Sequence, residues 1–494
     1  MLNGRSSWLS DVLLDTACPK QKKKMALCCG KQTATIKILW FVAVLVIVIV
    51  ASVVGAILAS SQQEDENKEK GDGSSSNQGQ PGWHPMGTDL GGQDAFAEWG
   101  RTVALSANGT TLLVGGLNER VVLYNFAQGH WHVEKILLPQ HQNEFAGVSL
   151  AMSSDATVIA LGSNNENINR SSIIDTTTTN NNNNLFLAGK TVTLQQRNTG
   201  TYNIVTNLPL VGQEDYERFG SAVALSSNGN VMAVGGPFAQ SERGIVRMYR
   251  FRPFPDLVWN QETSFPGEMP GDRLGSSIAM ASNGNLLAIG APQHDGDQPP
   301  KSGLVRFFQY DTAQGVWTRG NDLKGQESNE LFGSAVALSG DGIIVAVGSV
   351  LDGFRANGLT RIYKSLPTSN GWTQLGSTIV GEPSEPGQDA AVQKIALSLS
   401  SDGSMVAIGY GETDQQSLIG TGKVRVYQYE SDQEDWELVG KEIDRPSSIS
   451  KTRLWAESVS LSKDGRIVAI GAPQNTLDKS KPQSGLVQVF VFKD

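Results

Sequence analysis

The sequence has no cysteine beyond position 29. Its three thiols are Cys18, Cys28 and Cys29, so everything after them is without a disulfide, a cysteine-ligated zinc or a cysteine nucleophile. The common catalytic signatures are missing too. There is no Gly-x-Ser-x-Gly, no phosphate loop, no His-Glu-x-x-His and no Rossmann fingerprint. No cofactor is expected, and no enzyme activity is assigned. Positive charge is scarce after residue 37. Residues 1–37 hold seven Lys/Arg against two Asp, a net of +5; the whole chain carries −9, so the rest carries −14. An acidic body repels phosphate, which argues against nucleic acid as a partner.

Charge is absent altogether from residues 38–59, a run of 22 apolar and small residues. As a helix rising about 1.5 Å per residue, it covers a hydrocarbon core of about 30 Å. It is longer than the apolar part of a cleaved leader, about 7–15 residues. The reading is a transmembrane helix after a basic tail, residues 1–37. Lys20, Lys22, Lys23, Lys24, Lys31 and Lys37 precede the run, and Glu64, Asp65 and Glu66 follow it. Lysines stay cytoplasmic. This predicts a single-pass, type II signal anchor in the cell membrane or an endomembrane, with the body extracellular or lumenal. Cys28-Cys29 stand beside lysines near the membrane and fit reversible palmitoylation; free cytosolic thiols are the other reading. Residues 60–82, rich in Gln, Glu, Lys, Gly and Ser, read as a disordered stalk.

The rest is a repeat. Phe219-Gly220 opens a run in which Val223 and Leu225 alternate with small residues, Asn228-Gly229 makes a tight turn, and Val231 and Ala233 alternate again up to Gly235. That is two strands joined by a hairpin. The unit recurs at Trp99-Gly100, Ala146-Gly147, Leu274-Gly275, Phe332-Gly333, Gln393-Lys394 and Trp455-Ala456. It closes at Gly115, Gly162, Gly290, Gly348, Gly409 and Gly471, always fifteen residues after the second opening residue. A third strand follows, as in Gly244-Ile-Val-Arg-Met-Tyr249 and Gly485-Leu-Val-Gln-Val-Phe490. A fourth is led by Trp131, Tyr202, Trp259, Trp317, Trp372 or Trp436. Four strands per repeat predict a propeller blade, and seven units predict an all-β, seven-bladed β-propeller over residues 83–494. The seventh unit ends at Asp494 on its third strand. Residues 83–92, from Trp83, match the fourth strand led by Trp317 and are expected to complete blade seven, which removes the last free edge. Residues 163–184, a poly-Thr/poly-Asn stretch, read as a floppy insertion in blade two.

Phe219-Gly220, Phe332-Gly333, Gly290-Ala291-Pro292 and Gly471-Ala472-Pro473 resemble the FG-GAP repeat of integrin α-subunit propellers. The resemblance covers residues 83–494 and implies a propeller that binds proteins through one face. The calcium loops of that family are missing. Ser227-Asn228-Gly229, Gly340-Asp341-Gly342 and Ser401-Asp402-Gly403 offer at most one carboxylate each, where calcium takes about six to eight oxygens. No metal is carried over. His130-Trp131-His132 puts two imidazoles on one strand face without a third ligand, and His294 to Asp297 reads as a solvated acidic turn. The fourth-strand aromatics read as packing between blades rather than a sugar platform.

Loop length points to function. Turns between strands one and two are uniformly short, while those between two and three, and those leading into strand one, vary. Both variable sets emerge on one face, where binding residues concentrate. The candidates there are Asp215, Glu217, Arg218, Asp295, Asp297, Lys301, Asp352, Arg355, Glu412 and Asp414, a mixed-sign set suited to a protein or glycan ligand. Asn169 and Asn108 fit the glycosylation acceptor pattern, Asn169 the better. The expected function is recognition or adhesion by a membrane-presented propeller; the alternative is a glycan hydrolase or lyase.

Overall fold

The computed structural model describes residues 81–494 except 117–120, 138–146, 164–167, 170–183, 186–189, 197–201, 205–209, 253–257, 297–298, 352–357, 367–370, 382–389, 415–421, 445–454 and 476–479. The tail with Cys28 and Cys29, the apolar run 38–59 and nearly all of the stalk lie outside the described residues. Among the described residues, no helix is long and apolar enough to cross a membrane.

Each repeat becomes one antiparallel sheet. In the third unit, Ala222–Leu225, Val231–Gly236, Ile245–Arg252 and Val258–Pro266 lie side by side in chain order. Val231–Gly236 is buried at every position. A strand covered by sheets on both faces needs no polar side, so its sequence is a continuous apolar run. Gly229 turns the hairpin at φ 69°. The fold is an all-β propeller of four-stranded blades. Among the described residues, two sheets have four strands and five more carry two outer segments on one third strand, as where Val316–Arg319 and Leu323–Lys324 both pair with Leu304–Asp311.

The two glycine marks have one cause. First strands meet neighbouring first strands around a ring, and Thr102–Leu105 touches both Ser149–Met152 and Ser458–Leu461. At five of the seven junctions, the closing glycine of one sheet lies against the opening glycine of the next; Gly409 meets the Ala456 carbonyl and Gly348 the Ile395 side chain. A Cβ on Gly162 would stand 2.2 Å from the Gly220 carbonyl oxygen, and one on Gly471 would stand 1.9 Å from that of Gly100. Ser149 Oγ, Ser277 Oγ and Ser458 Oγ donate to the same opening carbonyls, of Gly220, Gly333 and Gly100. The glycines are therefore set by contact between backbones.

The first and last described strands meet in one sheet. Gly82–Pro85 pairs with Leu486–Lys493, Trp83 opposite Phe492, and Leu90–Gly91 joins the same strand further along. Gly82, taken as stalk from its composition, is already in the ladder.

The outer tryptophans sit between blades. Trp131 Nε1 donates to the Met86 carbonyl, Trp83 Nε1 to that of Val439 and Trp436 Nε1 to that of Leu375. Each acceptor lies at the break in a neighbouring outer strand, where the carbonyl has left its own ladder. Next to the unbroken strand Val258–Pro266, Trp317 Nε1 is buried without a partner.

Two expectations are corrected. The sixth unit, which has Gln393-Lys394 for Phe-Gly, does not break there. Its strands run on as Ala390–Leu399 and Met405–Asp414, with a bulge between Val392 and Lys394. Val392 and Lys394 keep pairing, with Glu412 and Gly411, where the ladders of the other units have ended. The insertion in the second unit is not wholly irregular either: Ile168–Asn169 pairs with Asn184–Leu185.

Candidate ligand face

The two ends of the propeller are built differently. At one end, the hairpin turns share a design. Ser226 Oγ donates to Asn228 Oδ1, which also accepts from the Asn230 amide, and the Val231 amide donates to Ser226 Oγ. Ser400 with Asp402 and Ser339 with Asp341 repeat the pattern. Burial pushes the Asp402 carboxyl up, but donations from Ser400 and Ser404 outweigh it and hold the group below the usual carboxylate range; Asp155 is held down in the same way by Ser153 and Thr157.

These turns are linked in a circle. The amide of Ala107 donates to Ser154 O, Ser154 to Ser227 O, Ser227 to Ser282 O, Ser282 to Gly340 O, Gly340 to Ser401 O, Ser401 to Lys463 O, and Lys463 back to Ala107 O, at 2.7–3.1 Å. Asp341, Asp402 and Asp464, at the mouth inside this circle, each accept from the serine of their own turn.

At the other end, loops of the third, fourth and fifth units are pinned from within. Glu217 is fully buried and accepts from the amides of Gln213 and Glu214, while its carboxylate pairs with the buried Arg247. Glu330 does the same with Gln326, Glu327 and Arg361. In the fourth unit, Asp272 accepts from Met269 N at 2.9 Å and meets His294 Nδ1 at 3.0 Å. Burial raises the Asp272 carboxyl, yet these hydrogen bonds leave it below its ordinary value. The residues flanking the pinned carboxylate turn through the left-handed region: Tyr216 and Arg218 at φ 60° and 53°, Asn329 and Leu331 at 57° and 50°. Non-glycine residues hold that conformation at a cost.

The variable loops of adjacent sheets are bonded together on this face. Arg273 N donates to Glu242 O and Leu274 N to Arg243 O; Phe332 N donates to Ser302 O. Phe238 lies between two guanidinium groups, with Arg218 Cζ at 4.3 Å and Arg273 Cζ at 4.8 Å from the ring centre, and Arg273 pairs with Glu242 at 2.8 Å. Cation–π contacts of this kind order a loop surface.

The sequence candidates divide accordingly. Asp215 and Arg218 share one loop, and Asp295 and Lys301 another, where Asp295 Oδ1 accepts from the Lys301 amide at 3.0 Å. Glu217 is removed from any contact surface by its burial, and its role is to hold the loop. Glu412 and Asp414 belong to the extended strand Met405–Asp414 rather than a loop. Asp297, Asp352 and Arg355 lie outside the described residues. Asn108 is a turn residue whose Oδ1 accepts from Ser106 and Thr110, and Asn169 is in the strand pair of the insertion. His130 and His132 have ring centres 6.5 Å apart on an outer strand, and among the described residues no cluster of three His, Cys, Asp or Glu forms.

Charge alone missed the exposed aromatics. Phe96 and Tyr216 are 57% and 58% exposed, each at a left-handed position, Tyr216 immediately before the pinned Glu217 and Phe96 immediately before Ala97 at the equivalent place. Met269, on the corresponding loop of the fourth unit, is 46% exposed. The sequence clue was their place: four residues before the opening glycine for Phe96 and Tyr216.

No family model matches the chain, and no curated protein matches it. Among solved structures, it is similar to the Myceliophteria thermophila Cps50 (Swd1) β-propeller domain. The identity is 10%, over 83% of this chain and 100% of that one, with a TM-score of 0.49. At that level the likeness carries no argument, and the architecture rests on the sheets themselves.

Proposed function

We propose that this is a seven-bladed propeller, anchored by residues 38–59 with its body extracellular or lumenal, that recognises a protein partner through the variable-loop face. The blade count is supported by seven sheets of four or five strands and by the circle of turns. The anchor reading is supported by the uncharged run and the lysines before it. One observation carries the binding reading: Phe96 and Tyr216 stand in solvent at left-handed positions on ordered loops, Tyr216 beside the buried Glu217, and Phe96 on a loop whose Phe96 and Glu98 amides donate to the carbonyls of Pro482 and Gln483. Exposed aromatics on a preordered surface are what a protein interface uses for anchors. Arg218, Asp215 and Lys301 add charges of both signs around them.

The test is a capture experiment with the full-length protein in detergent against surface and secreted proteins. Wild type and an Asp341→Lys/Asp402→Lys variant should retain the same partner, and a Phe96→Ser/Tyr216→Ser/Arg218→Glu variant should lose it at unchanged Tm. Loss with the turn-face variant alone would place recognition at the other end. Retention of glycans in place of proteins would replace the partner class.

A further inference from the structure

Blades one, three and five bury an aromatic pair at the same two positions, phenylalanine with tyrosine in three and five and tryptophan with tyrosine in one. Phe219 and Tyr249 lie edge to face at 6.3 Å, Phe332 and Tyr363 at 6.3 Å, and Trp99 and Tyr124 at 6.4 Å. In blades three and five, the space beside the rings is filled by the ion pairs Arg247–Glu217 and Arg361–Glu330. Arg247 stands opposite Val234 and Arg361 opposite Val347; in blade one the residue opposite Val114 is Val122. The carboxylate position, two residues before the ring, is Ala97. Glu217 lies over Gly236, and the matching residue in blade one is Gly116.

Two long side chains are thus replaced by two short ones in an otherwise conventional blade. The result is a cavity of about 180 Å³ whose walls include Ala97, Trp99, Gly116, Val122 and Tyr124. Burial against this apolar lining pushes the Tyr124 hydroxyl up to about 12. An apolar cavity of about 150 Å³ is enough to hold benzene. Val133 and Ile136, 57% and 49% exposed, also line it from the free outer strand His130–Leu137. They extend the apolar surface beyond what a single small molecule would cover.

We propose that the vacated ion-pair site of blade one is a binding pocket for one apolar side chain, aromatic or branched, presented by a protein partner that lies along Val133 and Ile136. This rests on the reading of the loop face as a protein-binding surface, and it sits beside the exposed Phe96. The pocket replaces an internal charge pair with a socket open to an outside group.

The test needs no knowledge of the partner. Toluene and N-acetyl-phenylalaninamide are titrated into the full-length protein by saturation-transfer NMR. Both should bind and compete with each other. Ala97→Leu, which fills the cavity with an apolar chain, should weaken both at least tenfold. Ala97→Glu/Val122→Arg, which rebuilds the pair found in blades three and five, should do the same; should that variant fail to fold, Ala97→Leu alone decides. Absence of binding by either probe, or equal binding by Ala97→Leu, overturns the pocket. Binding of toluene but not N-acetyl-phenylalaninamide overturns the side-chain occupant. Neither result bears on partner capture by Tyr216 and Arg218, so the two readings fail separately.

Discussion

The two ends of this propeller solve the same problem, how to hold chain reversals between strands, in opposite ways. At the turn end, each reversal is held by its neighbours through the circle from Ala107 to Lys463. Its left-handed positions go to glycine, at Gly109, Gly229, Gly284, Gly342, Gly403 and Gly465, with Ala156 the exception. At the loop end, Glu217, Glu330 and Asp272 each hold their own loop from below, and the left-handed positions go to Tyr216, Arg218, Asn329 and Leu331. Shared restraint requires every turn to have one length. Restraint from beneath, joined by bonds between neighbours only where a loop enters its strand, as at Arg243 with Leu274 and Ser302 with Phe332, leaves each loop free to differ from the next. The variable end can therefore change its surface without disturbing the ring, as a recognition surface requires.

The comparison is broken most severely by removing what closes the ring. Deleting residues 80–92 from the full chain strips the outer strand from Leu486–Lys493 and takes away Trp83, the ring contact at 5.3 Å with Phe492 and the acceptor of Trp131 Nε1. Loss of a large packed aromatic alone costs about 3–5 kcal/mol when it is buried, and the half-covered Trp83 adds the lost ladder to a part of that. The expected outcome is a fall in Tm larger than any single substitution produces. Calorimetry on the deleted and intact chains measures it; matching midpoints would mean that the last sheet needs no fourth strand.

Breaking one private restraint should come next. Glu217→Gln leaves the Arg247 guanidinium, 2% exposed, beside a neutral amide. A buried cation without its partner costs about 3–5 kcal/mol. The same change at the half-exposed Glu262, paired with Arg250 at the surface, should cost about 1 kcal/mol or less. Hydrogen exchange adds a second readout, since the amides of Gln213 and Glu214 should lose protection in Glu217→Gln. If the two substitutions cost the same by chemical denaturation, the loop is not held from beneath.

The repeat made most of the fold legible, because a closing glycine fifteen residues after the opening position records a close approach to the opening backbone carbonyl at six of the seven junctions. The Trp83 match likewise has its counterpart in the pairing of Gly82–Pro85 with Leu486–Lys493. Glu217 shows where legibility ended. An acid in a polar loop looks solvated, and its burial depends on Arg247, on a different strand. A clue was present: Arg247, Arg306, Arg361 and Arg425 recur at one position in apolar third strands, and all are buried. A charge there demands a partner. The circle of amides left only the uniform turn length as a trace, since backbone donors carry no side-chain identity. The blade-one cavity was written only as an absence, Ala97 and Val122 where longer residues stand elsewhere.

The mildest test sharpens the comparison within the turn end itself. Asn228 and Asp402 occupy the same place in their turns and accept the same kinds of bond, but only one titrates. Burial raises the Asp402 and Asp155 carboxyls, and the hydroxyl and amide donors more than reverse this, so both sit below their ordinary value in the folded chain. A carboxyl with a depressed folded value contributes stability that is fully present above the unfolded value, about 3.9. That contribution is lost as pH falls through the folded value. Asp155→Asn/Asp402→Asn should therefore leave Tm at pH 7 lower by no more than a degree or two, roughly what a weak solvent-screened interaction is worth in a chain of this size. The gap should begin to narrow below about pH 4 and go on narrowing as pH falls toward the folded value, because asparagine makes the turn without a proton to gain. Scans at pH 7, 4 and 3 on both chains measure it, and a gap that widened in acid would mean that these carboxylates resist protonation for some reason other than their turns.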